Sequence, residues 1–342
     1  MTTAPEMPPP PARFLQLTGG SWAAQGLSVV ASLGVADELG DGPLTVDEIA
    51  ARVDAVPPAL YRLLRYLADV GVFRELDGRR FALTELGDLL RRDVPGSMRD
   101  FALYVGSPFY RRGWTGLLDS VRTGEPAFAP PFFDYLRDHA DDSAVFDAAM
   151  AVVSERFTGP FVASAYPFAA GSTVVDVGGG RGRLLATILT ADPSLRGVLY
   201  DQPDAVAAAE KVLADAGVAD RCERVGGDFF ATVPSGGDAY VLSRVLLDWD
   251  DDTAVRILTN CRSALGDGDG DGGRVLVVEA VVPDAPGPSP AKVLDLQMLV
   301  TTGGRVRTEA EHDELLVRAG LRRARVLRSP FTSVIEALPT NP

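Results

Sequence analysis

The sequence predicts an α/β fold in which a largely parallel sheet, covered by helices, follows a smaller helical domain. From residue 172 onward, short apolar runs alternate with helical stretches, an order that is typical of βαβ units. Residues 13–95 instead show a helix, a turn, a second helix and a hairpin, which is a winged-helix pattern. A chain of 342 residues is long enough for about two domains.

Composition narrows the class of partners. Hydrophobic residues make up 46% of the chain, and the formal net charge is −14. Because an acidic surface repels phosphate, we expect neither nucleic acid nor a membrane as a partner. The sequence has no run of 18 apolar residues, and its first residues lack the basic start and apolar run of a signal peptide. Cys222 and Cys261 form no CxxC motif, so we expect a reducing, cytoplasmic location.

The predicted organisation has four parts. Residues 1–12 include a proline run and are expected to be a disordered lead-in, and residues 13–95 are expected to form the winged-helix-like domain. Residues 96–170 are rich in aromatic residues, which indicates a helical linker that also walls a substrate pocket. Residues 171–338 are predicted to form the sheet domain. Within them, residues 267–273 resemble a calcium loop but lack its glutamate spacing, so we expect a solvated turn and no metal.

Local signals define the winged-helix-like domain. Thr45 and Glu48 have the spacing of a capping box, and a proline pair at 57–58 opens a helix with one apolar face. That face consists of Leu60, Leu63, Leu64 and Leu67. A hairpin is expected around the Asp-Gly turn at 77–78. Such a domain either binds DNA or packs against protein, and the acidic charge favours packing or dimerisation.

A glycine-rich turn carries the first chemical signal. Residues 175–182 read VDVGGGRG, where a strand is predicted to pass into a helix. Glycines at 178, 180 and 182 let the backbone approach a ligand and leave amides of the following helix free. Asp176 lies two residues before the first of them, where a carboxylate repels pyrophosphate but suits an amino group or a sulfonium. A purely structural tight turn is the alternative.

Two further motifs follow in register. Asp201 closes the next predicted strand, 21 positions after Gly180, where an acidic residue typically accepts hydrogen bonds from ribose hydroxyls. The alternative is a helix cap before Pro203. In the segment GGDFF at 226–230, Asp228 is suited to an exocyclic amine and Phe229 to stacking on a purine. Together the three motifs describe an adenosine with a charged tail that is not a phosphate.

On these motifs, residues 20–337 resemble the small-molecule O-methyltransferases of the plant caffeate and bacterial polyketide type. The match includes VDVGGGRG, GDFF and the segment LSRVLLDWDDDTAVRIL at 242–258. The resemblance implies a Rossmann-like class I methyltransferase sheet at 171–338, S-adenosylmethionine as cofactor, a small aromatic substrate and a homodimer. It implies that Gly178, Asp201, Asp228, Phe229 and Ser243 contact the cofactor, with Asp176 and Gly180 in the same turn.

The resemblance also implies where the substrate lies, and it shows a departure from the family's pattern. Met150, Trp249, Met298 and Arg305 are the expected substrate contacts. Leu247 occupies the position of the family's general-base histidine. Of the two glutamates that pair with that histidine, one is retained as Glu279, and Val306 replaces the other. Glu279 and Asp248 are the remaining candidates for assisting proton removal through a water.

Neither histidine of the chain supplies an obvious replacement for the base. His139 is expected in a loop, and His312 on the polar side of a helix at 308–319, as a surface residue. The combination of LLDW and GGRVRT resembles a subgroup that includes the anthracycline 4-O-methyltransferases and the related aclacinomycin 10-hydroxylase, which does not use the methyl group.

Three hypotheses therefore stand. The first is methyl transfer to a hydroxyl of an aromatic or polyketide intermediate, with rate gained from proximity and orientation rather than from a histidine base. The second is a non-methylating reaction in the same family, such as hydroxylation, decarboxylation or rearrangement. The third is a non-catalytic protein that binds S-adenosylmethionine.

Overall fold

The computed structural model describes residues 9–265 and 273–340, and these form two compact units. The first unit comprises Met1–Arg111 and Ala140–Val152, and the second Arg112–His139 and Val153–Pro342, within the described residues. The region 96–170, which we expected to be one linker, is thus divided between the two units. The residues 267–273 that resemble a calcium loop lie largely outside the described residues.

Helices make up most of the chain before the sheet. They are α1 Pro10–Leu33, α2 Val35–Glu38, α3 Val46–Arg52, α4 Pro57–Asp69, α5 Glu85–Asp88, α6 Arg99–Gly106, α7 Pro108–Thr115, α8 Leu117–Thr123, α9 Phe132–Asp138, α10 Ala140–Val153 and α11 Gly159–Ala165. Because α1 begins at Pro10, the lead-in we predicted to residue 12 is too long by three residues: a proline in the first turn suits a helix start, where its missing N–H is not needed.

The first unit has the predicted winged-helix elements. The capping box is present, since the Thr45 hydroxyl accepts from the Glu48 N–H and the Glu48 carboxylate accepts from the Thr45 N–H. The hairpin strands are Phe73–Leu76 (β2) and Arg80–Leu83 (β3), and a short strand at Leu44–Thr45 (β1) pairs antiparallel with β3. On α4, the predicted apolar face packs into the unit's core through Leu60, Leu64 and Leu67.

The second unit is built on a seven-stranded sheet. Its strands are β4 Thr173–Val177, β5 Arg196–Asp201, β6 Cys222–Gly226, β7 Ala239–Ser243, β8 Arg274–Glu279, β9 Leu321–Arg328 and β10 Ser333–Pro339. Their order is β6-β5-β4-β7-β8-β10-β9, and only β10 runs antiparallel to its neighbours. The predicted α/β fold, with a mostly parallel sheet that follows a helical domain along the chain, is therefore confirmed.

Helices cover both faces of this sheet. They are α12 Arg183–Ala191, α13 Pro203–Ala208, α14 Glu210–Asp215, α15 Asp251–Ala264, α16 Pro290–Thr301 and α17 Glu309–Arg318. The helix predicted at 203–216 is divided in two near Ala209. Two large apolar clusters lie on opposite sides of the strands, because successive side chains of a buried strand point to opposite faces. No helix among the described residues is long and apolar enough to cross a membrane.

Candidate active site

Four neighbouring parallel strands bring the predicted motifs together. The glycine turn follows β4, Asp201 ends β5, Ser243 ends β7 and Glu279 ends β8. In register, Asp201 pairs with Gly226 of β6, just before the third motif. Ligands of open α/β sheets bind outside the carboxyl ends of the strands, which is where these residues meet.

The glycine turn leaves open space for a ligand. Gly178, Gly180 and Gly182 have φ angles of +70°, +56° and +75°, which side chains with a Cβ rarely adopt. A Cβ built at Gly180 would face open space, so only backbone borders the site there. A Cβ at Gly178 would lie 2.8 Å from Cγ2 of Val245 and 3.5 Å from Cε1 of Phe229, which places the third motif beside the first.

Asp201 is tied directly to the glycine turn. Its Oδ2 accepts from the N–H of Gly180 at 2.7 Å, and its Oδ1 accepts from the N–H of Gln202 at 2.6 Å. Burial raises the pKa of Asp201, although these two amides oppose the shift. The carboxylate therefore fixes the turn and lies at the edge of the sheet where a ribose is expected. Near α13 it accepts from the N–H of Gln202, which precedes the helix, rather than acting as the cap of an amide inside it.

Asp176 lies beneath the turn. Its side chain is buried, and neither carboxylate oxygen has a hydrogen-bond partner among the described residues. A Cβ at Gly179 would come within 2.6 Å of its Cγ, so the turn covers it. Burial, followed by the charge of Asp201, raises the pKa of Asp176 to about 7. A direct contact of this carboxyl with the cofactor stays a prediction.

The third motif forms a compact turn after β6. The N–H of Phe230 donates to Oδ1 of Asp228 at 2.9 Å, and Asn260 of α15 donates to the carbonyl oxygens of Phe229 and Phe230. These bonds fix the backbone that carries the Phe229 ring. The ring packs against Phe230 with centroids 4.6 Å apart.

Trp249 contacts both the third motif and helix α9. Its ring lies 4.9 Å from that of Phe230 and 6.5 Å from that of Phe229, both edge-on. On another side it stacks with Phe133 of α9 at 5.9 Å. One of the fourteen aromatic residues at 97–168 is thereby placed beside a predicted substrate contact, which the sequence alone did not distinguish.

The position of the expected base is apolar and closed. Leu247 is 2% exposed and packs in one cluster with Met298, Val306, Ala280 and Ala291. The two positions at which this chain departs from the family's pattern, Leu247 and Val306, thus belong to the same cluster. An apolar pair thus stands where the family's pattern has a histidine and a glutamate, and the retained Glu279 lies beside it.

Two carboxyl groups lie next to that cluster. Oε1 of Glu279 accepts from the N–H of Leu247 at 3.0 Å, whereas Oε2 has no partner among the described residues. Burial raises the pKa of Glu279 to about 7, against the bonds and charges that lower it. Burial also raises the pKa of Asp248 to about 8, with Arg244 lowering it and Glu279 adding to the rise.

The expectation for His312 was wrong. Its side chain is 1% exposed, and burial, followed by the charges of Arg307 and Arg323, lowers its pKa to about 3. His312 shares one face of α17 with Leu315 and Leu316, a spacing of i, i+3 and i+4 that predicts burial. His139 ends α9, is exposed, and stacks on Tyr135 with centroids 3.8 Å apart.

The two remaining predicted substrate contacts are Met150 and Arg305. Met150 is half-buried on α10, within the first unit. Arg305 is exposed and forms ion pairs with Glu311 and Asp251. Their roles as substrate contacts stay predictions, as do those of Trp249 and Met298.

Sequence reasoning missed Arg307. Its side chain is completely buried and donates to the carbonyl oxygens of Leu246 and Trp249 and to Oδ1 of Asp251. It also missed Gln297, which is buried on α16 and accepts a bond from the indole N–H of Trp114. Both residues look like ordinary polar positions in the sequence, because their partners are distant along the chain.

Comparison with known proteins assigns the class. Residues 15–93 match the O-methyltransferase dimerisation domain, and residues 114–322 match the O-methyltransferase domain. The chain therefore belongs to the O-methyltransferase family, and it is an S-adenosylmethionine-dependent methyltransferase. The first match also supports the dimerisation interpretation of the winged-helix-like unit over DNA binding.

Individual relatives make the family assignment more specific. The chain is 43% identical, over 95% of both chains, to a phenazine O-methyltransferase of Lysobacter antibioticus, and 39% identical, over 90% of this chain and 88% of the relative, to a mitomycin 6-O-methyltransferase of Streptomyces lavendulae. A solved neocarzinostatin-biosynthesis O-methyltransferase, in complex with S-adenosylmethionine and a hydroxynaphthoic acid, superposes with a TM-score of 0.77 at 37% identity, covering 93% of this chain and 96% of that one. The non-methylating and non-catalytic hypotheses find no support among these relatives.

Proposed function

We propose that this O-methyltransferase acts on a fused aromatic natural-product intermediate whose hydroxyl is already acidic. The observation that carries the proposal is the apolar cluster of Leu247 and Val306 at the position of the expected base. A hydroxyl conjugated with a quinone carbonyl or an electron-poor ring nitrogen is more acidic than a simple phenol and needs no strong base. The names of relatives that act on phenazine, mitomycin and naphthoate substrates support this acceptor class.

The cofactor site is assigned on residues that fit S-adenosylmethionine. When bound, that cofactor supplies a methyl group on a positively charged sulfur. Asp201 is proposed to bind the ribose hydroxyls, Asp228 and Phe229 the adenine, and Gly178 and Gly180 to admit the ligand to the backbone. The open space above Gly180 and the carboxylate of Asp201 beside it suit such a ligand. Ser243 and Asp176 complete the proposed set.

The chain's own contribution to the reaction is binding, orientation and exclusion of water. Trp249 and Met298, with Met150 and Arg305, are proposed to hold the acceptor ring, and Leu247 to present an apolar wall to it. An ionised oxygen in a dry site is attracted to the positive sulfur, so water exclusion favours transfer. Because their pKa values are raised to about 7 and about 8, Glu279 and Asp248 are proposed to exchange protons with a water near neutral pH rather than to act as strong bases.

We further propose that the enzyme is a homodimer formed through α1. The dimerisation-domain match begins on this helix, which exposes a large apolar surface. The exposed large apolar residues of this helix are Phe14, Leu15, Leu17, Trp22 and Val29. A group of exposed apolar side chains on one helix indicates a protein contact. The dimerisation-domain match supports a second copy of this chain as the partner at that contact.

Mass spectrometry of reaction mixtures tests the proposed function. The enzyme is incubated with S-adenosylmethionine and, separately, a hydroxyphenazine, a hydroxynaphthoquinone and a simple unactivated phenol. We expect S-adenosylhomocysteine and a product heavier by one methyl group with the first two acceptors, and much less with the third. Equal transfer to the unactivated phenol would contradict the acidic-acceptor proposal.

Nitrogen acceptors form a second candidate class. Two relatives are N-methyltransferases, one for 8-amino-8-demethylriboflavin at 42% identity and one for phenazine-1-carboxylate at 35%. A neutral ring nitrogen also needs no base, so the apolar wall at Leu247 suits it equally. Phenazine-1-carboxylate belongs in the same assay, and fragmentation of the product distinguishes N- from O-methylation.

A further inference from the structure

One arginine links both ends of the segment that carries Leu247, Asp248 and Trp249. The Arg307 side chain is 0% exposed, and its Nη1 donates to the carbonyl oxygen of Leu246 at 2.9 Å. Its Nη2 donates to the carbonyl oxygen of Trp249 at 2.8 Å. The two carbonyls lie on either side of residues 247–248, so a single planar guanidinium fixes the distance across them.

Asp251 compensates the charge of this arginine. Nε and Nη2 of Arg307 donate to its Oδ1 at 2.9 and 2.8 Å. Burying a guanidinium is costly unless it is paired and hydrogen-bonded, and each of its three nitrogens here has a partner. These bonds fix the guanidinium relative to both carbonyl oxygens and to Asp251.

Gly304 packs directly against the backbone of the same segment. A Cβ at this residue would lie 2.2 Å from the carbonyl oxygen of Leu247 and 2.6 Å from the N of Trp249. Backbone atoms cannot yield as a flexible side chain does, so only glycine allows this approach. The peptide groups of residues 247–249 are therefore held between the backbone of Gly304 and the sheet.

The loop at 304–307 is itself anchored. The N–H of Val306 donates to Oδ1 of Asp295 on α16 at 2.9 Å, and the carbonyl oxygen of Arg307 accepts from the N–H of Val282 at 3.0 Å. On the opposite side of the segment, Glu279 accepts from the N–H of Leu247. The segment is thus fixed from the strand end of β8 and from this loop at once.

We propose that Arg307 and Gly304 form a brace that positions residues 246–249 against the acceptor. The inference rests on the proposed function, since it needs the acceptor at this segment. In an enzyme that depends on orientation rather than on a base, a misplaced wall lowers the rate directly, and a shift of about 1 Å costs up to roughly a hundredfold. Arg307 and Gly304 are positioning residues, because they act through Leu247 and Trp249.

The test compares Arg307→Gln, Arg307→Lys and Gly304→Ala in the full-length enzyme, assayed with S-adenosylmethionine and a hydroxyphenazine. We expect Arg307→Gln and Gly304→Ala to lower kcat by roughly tenfold to a hundredfold, while the Kd of S-adenosylhomocysteine stays within about twofold of wild type. Arg307→Lys keeps one donor and the charge, and is expected to recover part of kcat. Arg323→Gln is the matched control, because Arg323 also makes several ion-pair bonds but to surface groups of α17.

A spectroscopic readout makes the test independent of turnover. The chain has three tryptophans, so Trp22→Phe with Trp114→Phe leaves Trp249 as the only indole. In that background, acrylamide should quench Trp249 more strongly in Arg307→Gln than in the parent, and Arg323→Gln should cause no change. If Arg307→Gln is insoluble, Asp251→Ala weakens the same guanidinium from its half-exposed partner, and it replaces Arg307→Gln in every comparison.

The outcomes separate the two proposals. Wild-type enzyme that methylates none of the acceptors contradicts the proposed function, whatever the quenching shows. Active wild type with kcat unchanged in Gly304→Ala and in the Arg307 or Asp251 variant overturns the brace. A parallel loss of cofactor binding, melting temperature and kcat also overturns it, because that pattern belongs to general destabilisation.

Discussion

The N–H of Leu247 and Oε1 of Glu279 are joined by a 3.0 Å hydrogen bond, so a buried carboxyl group supports the backbone of the apolar residue at the expected base position. Glu279 therefore has a structural role here, as a hydrogen-bond acceptor for the backbone, although there is no histidine for it to orient. Its second oxygen remains without a partner among the described residues, and its ionisation is costly there. The residue therefore combines a structural role with a strong sensitivity to pH.

The first prediction concerns that sensitivity. In the folded protein the pKa of Glu279 is about 7, above its ordinary 4.5, so the folded state keeps a proton that the unfolded chain loses. Its contribution to stability is complete below about pH 4.5 and is lost as the pH rises toward 7. Glu279→Gln, which keeps the oxygen facing Leu247, should be more stable than wild type at pH 8, by on the order of 1–3 kcal/mol. The difference should shrink at pH 5, as measured by urea unfolding.

The neighbouring charges are part of this comparison. Repulsion from Glu279 raises the pKa of Asp248, while Arg307 and Arg244 lower the pKa of Glu279. Glu336→Gln is a control of opposite sign, because hydrogen bonds from Tyr166 and Arg325 outweigh burial and lower the pKa of Glu336. The free energy of unfolding of Glu336→Gln should be lower than that of wild type at pH 8. The difference should shrink at a pH low enough to protonate the Glu336 carboxylate of wild type. A Glu279→Gln difference that is the same at pH 5 and pH 8 would contradict the assigned pKa.

The second prediction concerns the cofactor. Asp201→Ala removes the proposed ribose acceptor and also the acceptor for the Gly180 N–H, so the affinity for S-adenosylhomocysteine should fall by roughly 1–3 kcal/mol. Asp201→Asn keeps an oxygen and should lose less. Calorimetry measures both, with Asp220→Ala on an exposed turn as the control. Unchanged affinity in Asp201→Ala would remove Asp201 from the site, and tighter binding of NADH than of S-adenosylhomocysteine would contradict the motif interpretation.

The third prediction concerns assembly. Light scattering of the wild type should give about twice the chain mass of 36.3 kDa. Leu17→Asp, on a helix where this side chain is 73% exposed, should shift the mass toward a monomer, because the charge would be buried at the proposed contact. Val317→Asp introduces the same charge at an exposed apolar position of α17 and should leave the mass unchanged. A wild type that is monomeric and active at micromolar concentration would refute the dimer.

These residues show how far a sequence alone leads in this fold. The capping box at Thr45 and Glu48 and the strand–glycine–helix turn at residues 175–182 are local signals, and the structure places both as predicted. The burial of His312 could also have been predicted from local periodicity, since its spacing to Leu315 indicates a buried helix face. Its charge-bearing neighbours along the helix concealed that pattern.

Other features depend on contacts that no local pattern encodes. Arg307 is separated from Leu246 by 61 positions, and in a segment rich in arginine it resembles a solvated charge. Similarly, the sequence shows that Leu247 and Val306 depart from a family pattern, but only the fold shows that both pack in one cluster with Met298. The sequence predicted which groups are absent, whereas the structure shows what fills their place.

The last prediction follows from that shared cluster. Leu247→His places an imidazole where the side chain is 2% exposed and packs against apolar side chains, so the single variant should be destabilised. Adding Val306→Glu supplies a carboxylate in the same cluster, and the double variant should recover part of the lost stability, because a buried polar group costs less when it is paired. Val306→Glu alone, which buries an unpaired carboxyl, is the control and should be the least stable of the three.

Activity across pH then shows whether residue 247 faces the acceptor. Wild type should show no loss of rate governed by a histidine near pH 6.5, since His312 is buried with its pKa lowered to about 3. The double variant should gain such a titration and should transfer methyl groups to an unactivated phenol faster than wild type does, because a base now assists. If its product ratios equal those of wild type from pH 5.5 to 9, Leu247 is only a core residue. Because the pKa of Glu279 is about 7, a titration near pH 6.5 in wild type is compared with that of Glu279→Gln; if it persists there, Leu247 no longer marks the position of the base.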